Sequence, residues 1–284
     1  MISSTRYRAL AEINRQTDLS RQIAKLQASV SSGKRLDKAS DDPDAAQRIS
    51  EIRQTQADQV VWTNNANMGT AISSAVDSKL GSVSDALDRA KELVLSGRND
   101  TTSLTDRAAI ASELRSIAAD LDTYSKANDP TGAPLFPTTT PLDIPVSDTL
   151  SLPATASRNA VFGNVTTSSG IQTLQQILND AATAVEGSSV TRAADIQTSL
   201  DAIDAGSGHI TQVRSDQGVR AARFDEAKDA LDASGQDLSE ERSGLESTDL
   251  TYALSEFQAK QTALQAAQSV FAQANKTSLF DLLG

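Results

Sequence analysis

The sequence predicts a mainly α protein: an elongated antiparallel bundle of long helices, a coiled-coil-like rod formed by both chain ends, with a small β-containing insertion in the middle. Three observations carry this. Six of the seven prolines fall between Pro130 and Pro153, so both flanks permit helix. Apolar residues in those flanks recur at alternating spacings of four and three. Aromatic residues make up only 4% of the chain, too few for a thick core, whereas Leu, Ile, Val and Ala suit narrow helical seams.

Taken in order, residues 1–42 form an N-terminal helical segment in which Leu19, Ile23, Leu26 and Val30 keep a 4-3-4 rhythm. Ser40-Asp41-Asp42-Pro43 then starts a new helix, with Asp42 as N-cap and Pro43 at the first helical position, where its missing N–H costs nothing. That helix runs from Pro43 to about Gly97, roughly 80 Å if unbroken. Its seam is Ile72, Val76, Leu80, Val83, Leu87, Ala90 and Val94. Gly97-Arg98-Asn99-Asp100 is a turn, and a second helix over about 104–127 carries Leu114, Ile117, Leu121 and Tyr124. These make 43–127 the first half of the rod.

Residues 128–170 form the proline-rich middle. Leu142-Asp143-Ile144-Pro145-Val146 and Thr149-Leu150-Ser151-Leu152 alternate like short strands, and proline confines them to edges. Asn164-Val165-Thr166 matches a glycosylation acceptor, a tripeptide that also arises often by chance. Helical pattern resumes near Ile171, breaks at Gly187-Ser188-Ser189 and continues to about Leu245, so 171–247 is the second half of the rod. Gly206, Gly208, Gly218 and Gly235 weaken the case for an unbroken helix there. Ser247-Thr248-Asp249 reads as a hinge capping a last helix from Leu250 to Asn275 within the C-terminal segment 248–284. Leu250, Leu254, Phe257, Gln261, Leu264, Gln268 and Phe271 give this helix a seam interrupted by two glutamines, too polar for a comfortable monomer core.

The composition excludes much chemistry. There is no cysteine, so no disulfide, thiolate site or Cys nucleophile, and the single histidine, His209, reads as a surface or seam residue. No phosphate-binding loop, dinucleotide fingerprint, zinc-protease or nucleophile-elbow motif occurs. Glu240-Glu241 reads as a solvated face, and helix capping accounts for Asp41-Asp42. No catalytic residue, cofactor or metal is therefore expected. The net charge of −11 argues against nucleic acid, and no stretch is apolar enough for a membrane span or a cleaved signal peptide. Charge is uneven: residues 1–50 carry nine Lys/Arg against six Asp/Glu, the last fifty three against seven. Ends of opposite sign can lie side by side. The closing Leu279-Phe280-Asp281-Leu282-Leu283 is an apolar terminus of the kind usually tied down by something. It docks on its own domain, or both ends are frayed alone and order against other subunits.

Ser31-Ser32-Gly33-Lys34-Arg35-Leu36, followed by Ala39-Ser40-Asp41-Asp42-Pro43-Asp44-Ala45-Ala46, resembles the N-terminal signature of the flagellin superfamily in its hook-associated protein 3 form. Flagellins proper typically have Ala-Lys-Asp-Asp-Ala-Ala-Gly at that place. Arg214-Ser215-Asp216-Gln217-Gly218-Val219-Arg220 resembles the arginine-glycine stretch of the superfamily's long C-terminal helix. The tail matches at Asp249, Ala253, Gln261, Leu264, Gln265 and Ala266, and closes on Ser278-Leu279-Phe280. The resemblance covers about residues 1–127 and 190–284.

It implies a secreted, structural subunit of the bacterial flagellum that joins hook to filament on the cell exterior and serves motility; the alternative is flagellin, the self-polymerising filament subunit. Expected partners are a hook-associated protein on the hook side, flagellin on the filament side, copies of itself in a ring, and an export chaperone with the flagellar type III apparatus. The subunit interface would be Leu19, Ile23, Leu26, Val30, Leu250, Leu254, Phe257, Gln261, Leu264, Gln268 and Phe271, with the glutamines setting register. Chaperone binding would fall on Leu279, Phe280, Leu282 and Leu283.

Overall fold

A computed structural model describes residues 2–36, 38–99, 101–129, 131–141, 143–187 and 190–280. The fold is mainly α, and its long helices pack against one another. In chain order the elements are α1 (Ile2–Ser32), α2 (Pro43–Gly97), α3 (Leu104–Ser125), β1 (Asp143–Pro145), β2 (Ser151–Pro153), α4 (Arg158–Phe162), β3 (Val165–Thr167), β4 (Gly170–Gln172), α5 (Leu174–Glu186), α6 (Arg192–Glu246) and α7 (Leu250–Phe280). The chain divides into two compact units, one of residues 1–57 and 235–284, the other of residues 58–234.

Unit 58–234 holds the main core. The predicted α2 seam from Ile72 to Val94 is buried throughout, as are Leu114, Ile117 and Leu121 of α3. Ile177, Leu178, Ala181 and Val185 of α5 and Ile196, Ile203 and Ile210 of α6 complete it. Within this unit α2 and α6 run antiparallel, as Lys91 to Asp204 at 2.6 Å and Arg214 to Asp77 at 3.1 Å record. The α6 helix is unbroken despite its glycines. At Gly206 the absent side chain has a packing reason: a Cβ there would stand 3.0 Å from Leu174 Cδ2.

The middle segment is more structured than its alternation suggests. β1 and β2 pair antiparallel with Ile144 opposite Leu152, leaving both strands as edges that tolerate Pro145 and Pro153. A second hairpin, β3 with β4, and the short helix α4 were not expected. Gly170, at φ +109, allows the tight turn into β4. Helix does not resume at Ile171, which is an exposed strand residue. It starts at Leu174, where Thr173 and Gln176 form a reciprocal capping box. Asn164, in the glycosylation-type tripeptide, is exposed and left-handed at φ 56, a conformation Asn tolerates.

Polar side chains fasten this segment to the helices. Gln217 is buried and donates to the Ala154 carbonyl at 2.9 Å. The half-buried His209 places Nε2 at 3.1 Å from the carbonyls of both Ala160 and Val161, next to the end of α4.

Candidate assembly surface

The terminal unit is built differently. Among the described residues its buried apolar side chains are few: Ala45, Ile49, Ile52 and Ala253. Within it α1 and α7 pack together, antiparallel, since Lys34 bridges Ser247 while farther along Lys260 Nζ donates to Gln22 at 2.7 Å. The start of α2 and the end of α6 are also tied here. Arg48 grips the Glu241 carboxylate with two N–H groups at 2.6 and 2.9 Å, and Arg53 meets Glu246 at 2.8 Å. Glu240 and Glu241 are both exposed, as a solvated face requires, and Glu241 is in addition ion-paired. Its hydrogen bond from Arg48 holds its carboxyl below the ordinary range and raises the guanidinium.

The Ser31–Pro43 signature has a physical role in this unit. Gly33 takes φ +68, which suits glycine, and turns the chain out of α1. Its carbonyl accepts the Thr248 N–H at 3.0 Å, and the Arg35 N–H reaches the Glu246 carbonyl at 2.8 Å. The Arg35 guanidinium bridges Asp42 at 3.1 Å and the Leu245 carbonyl at 3.2 Å. Asp42 also accepts the Ala45 N–H at 3.1 Å, the N-cap expected from sequence. That bond first, and Arg35 second, hold the Asp42 carboxyl below its ordinary range. Asp41 accepts from Lys25 Nζ at 2.7 Å and from the Lys38 N–H at 3.1 Å, so capping alone does not account for the Asp41-Asp42 pair. On the other side Asp249 caps α7 through the Thr251 and Tyr252 N–H groups. A cleft of about 540 Å³ lies beside these contacts, with Leu26, Leu36, Tyr252 and Ala253 among its lining.

On α1, Leu19, Ile23, Leu26 and Val30 form a half-buried stripe, continued outward by Gln16 and Glu12. On α7 the inward stripe is Ala253, Phe257, Lys260, Leu264, Ala267 and Phe271. The sequence-predicted stripe shares Phe257, Leu264 and Phe271 with it. Leu250, Leu254, Gln261 and Gln268 instead point outward and are exposed, so the two glutamines do not set the register of this pair. Ranking positions by apolar bulk favours the neighbouring stripe, whereas the inward one mixes Phe257, Leu264 and Phe271 with the small Ala253 and Ala267 and with Lys260.

The pair consequently leaves large apolar residues uncovered: Tyr7 at 79%, Leu10 at 59%, Ile13 at 48%, Leu250 at 52%, Leu254 at 47% and Val270 at 66% exposed. Tyr7, Leu10, Ile13 and Val270 lie toward the outer end of the pair and Leu250 and Leu254 toward the Lys34–Ser247 end; exposed large apolar residues of this kind make the pair a candidate interaction surface. The side chains of Leu279 and Phe280, and Leu282 and Leu283 entirely, lie outside the described residues. No group of acidic or histidine side chains that could hold a metal occurs among the described residues, and no described helix is long and apolar enough to cross a membrane.

Comparison with known proteins places both flanks. The bacterial flagellin N-terminal helical region matches residues 4–138, and the bacterial flagellin C-terminal helical region matches residues 200–283. Flagellar hook-associated protein 3 of Escherichia coli (strain K12) is 25% identical over 286 residues, covering 89% of this chain and 90% of that protein. A flagellin of Halalkalibacterium halodurans is 26% identical over 250 residues, covering 87% of this chain and 86% of that one. The crystal structure of flagellar hook associated protein-3 from Legionella pneumophila shares the fold with a TM-score of 0.60 at 15% identity, over 67% of this chain and 97% of that one.

Proposed function

The chain belongs to the bacterial flagellin family, and we propose that within this family of structural, non-enzymatic proteins it is the subunit joining hook to filament. The observation that carries an assembly role is the helix pair made from both chain ends, whose outward stripes stay uncovered in the single chain. Burying them against neighbours would release association energy where the isolated unit has little core of its own. Assembly would then fall on the outward Leu250, Leu254, Gln261 and Gln268 together with Tyr7, Leu10 and Ile13, while Leu19, Ile23, Leu26, Val30, Phe257, Leu264 and Phe271 hold the pair together. In the free monomer α1 and α7 fray, and they order against neighbours.

The junction role, rather than self-polymerisation, is favoured by Ser40-Asp41-Asp42-Pro43 and by the likeness to hook-associated protein 3 over most of both chains. The flagellin reading stays second, since one flagellin is similar over a comparable length. A junction subunit touches different neighbours on its two sides, a hook-associated protein and flagellin, and forms a ring with its own copies; a filament subunit repeats one contact without end. Export through the flagellar type III apparatus to the cell exterior completes this reading, with a chaperone covering Leu279, Phe280, Leu282 and Leu283 beforehand.

Electron microscopy of flagella from a strain lacking the protein tests the role: hooks without filaments are expected, and normal filaments would refute it. Purified protein seeded with filament fragments or salted with ammonium sulfate should stay monomeric or form small oligomers. Long filaments there would promote the flagellin reading. Removing residues 250–284 should abolish chaperone binding in calorimetry; unchanged affinity would refute that assignment.

A further inference from the structure

We infer that the cleft between the end of α3, the short helix α4 and the start of α5 binds a sugar acid, a hydroxylated carboxylate of monosaccharide size, with Arg158 taking the carboxylate. The site lies wholly within unit 58–234 and does not rest on the assembly reading above.

The cleft encloses about 330 Å³, at the lower end of the range of small-molecule sites. Leu121 and Phe162 give it an apolar part, and the half-buried Arg158 lines it. Arg158 Nε is shielded from water without an acceptor, and the terminal nitrogens, open to solvent, bond to no described residue either. The acid in the lining, Asp122, is held by Lys126 at 2.6 Å. The guanidinium is thus a fixed positive charge without a counter-ion, and its planar fork matches a carboxylate.

Beside it stand Thr138, Asn159 and Gln175, whose side chains make no hydrogen bond with a described residue. Each can both donate and accept, as sugar hydroxyls do. An Asp or Glu side chain in the cleft would leave these three idle, which favours a hydroxylated acid over an acidic residue of a partner protein.

The α4 wall is fixed before any ligand arrives. Arg158 N–H donates to the Pro137 carbonyl at 2.8 Å, and the Ser157 hydroxyl accepts the Ala160 N–H at 3.3 Å. Phe162 stands edge-on to Phe136, with ring centroids 5.2 Å apart. His209 of α6 holds the Ala160 and Val161 carbonyls. A wall pinned in this way loses little conformational entropy on binding.

Calorimetric titration and saturation-transfer NMR on the full-length protein test the site with three probes: glucuronate, glucose and N-acetylglutamate amide. Glucuronate should bind, and uncharged glucose at least ~10-fold more weakly. The blocked glutamate, which lacks the hydroxyls, should be weaker than glucuronate by about 3-fold or more. Arg158→Gln should weaken glucuronate by at least ~10-fold, Arg158→Lys by less, and Asn159→Ala by about 3-fold. Circular dichroism checks that the variants fold, and the ranking of probes on the unaltered protein decides the question if one does not. A short polyuronate chain separates sources within the class: tighter binding than glucuronate names a polymer, equal or weaker binding the free acid. No saturable glucuronate binding below about 10 mM, equal binding of glucose, or an unweakened Arg158→Gln would each overturn the inference. Blocked glutamate binding as tightly as glucuronate would also overturn it, assigning the cleft to an acidic side chain of a protein partner.

Discussion

Two glycines in the same helix should respond to alanine with opposite signs. Gly69 of α2 lies against the fully buried Phe224 ring, and a Cβ there would overlap three of its atoms. Gly81, also in α2, has no atom within 4 Å of such a Cβ. Alanine in a helix interior is favoured over glycine by ~1 kcal/mol. At Gly81 nothing opposes this, so Gly81→Ala should stabilise by about 0.5–1 kcal/mol. At Gly69 the ring is walled into the core, and overpacking of that kind costs ~1–3 kcal/mol. The overlap is severe enough to place Gly69→Ala near the upper end of that range, for a net loss of about 1–2 kcal/mol. Urea unfolding followed by the fluorescence of Trp62, half-buried within the same unit, reads both changes on one probe. Phe224→Leu, which vacates the contested space, should make the Gly69→Ala change less costly than it is in the unaltered protein. Shifts of the same sign for the two glycines, or an undiminished Gly69→Ala penalty in the Phe224→Leu background, would refute the steric argument.

Leu254→Ser should leave the unfolding midpoint within about 0.5 kcal/mol, the usual bound for an exposed position, yet weaken assembly in a pull-down with filament or hook fragments. Phe257→Ala, on the inward stripe, should instead reduce the helicity of the free chain by circular dichroism. Gln217→Leu should cost ~1–3 kcal/mol, because the buried Ala154 carbonyl loses its 2.9 Å donor and keeps only Ser73 at 3.4 Å. Glu241 and Asp42 are held below their ordinary values of 4.5 and 3.8, so the stability they add is present above those values and lost as pH falls through the lowered ones. Glu241→Gln should accordingly flatten the acid limb of the terminal unit's exchange protection, and an unchanged limb would contradict it.

Much of the fold was legible because the signals are local. An Asp N-cap followed by proline starts α2 at Pro43, and Gly97 ends it, as expected. The α2 seam was legible for a related reason: with helix established, a 4-3 spacing of large aliphatic residues points one way. The hairpin of β3 and β4 and the helix α4 were not, since segments of three to five residues carry too little pattern to distinguish. The candidate assembly surface was half legible. Both chain ends were recognised as a pair, but the α7 stripe was assigned by bulk, and the exposed sides of Leu250, Leu254, Gln261 and Gln268 emerged only with the α1 contact.

The sequence by itself determined where the long helices α2, α3, α6 and α7 start, that both flanks are helical and which family the flanks resemble, because caps, prolines and periodicity act within a turn or two. Only the tertiary structure decided what Arg35 does. Its partners Asp42 and the Leu245 carbonyl lie 7 and 210 residues away along the chain. A side-chain donor has no directional preference written in its neighbours; its acceptor is fixed by which backbone the fold brings within about 3 Å.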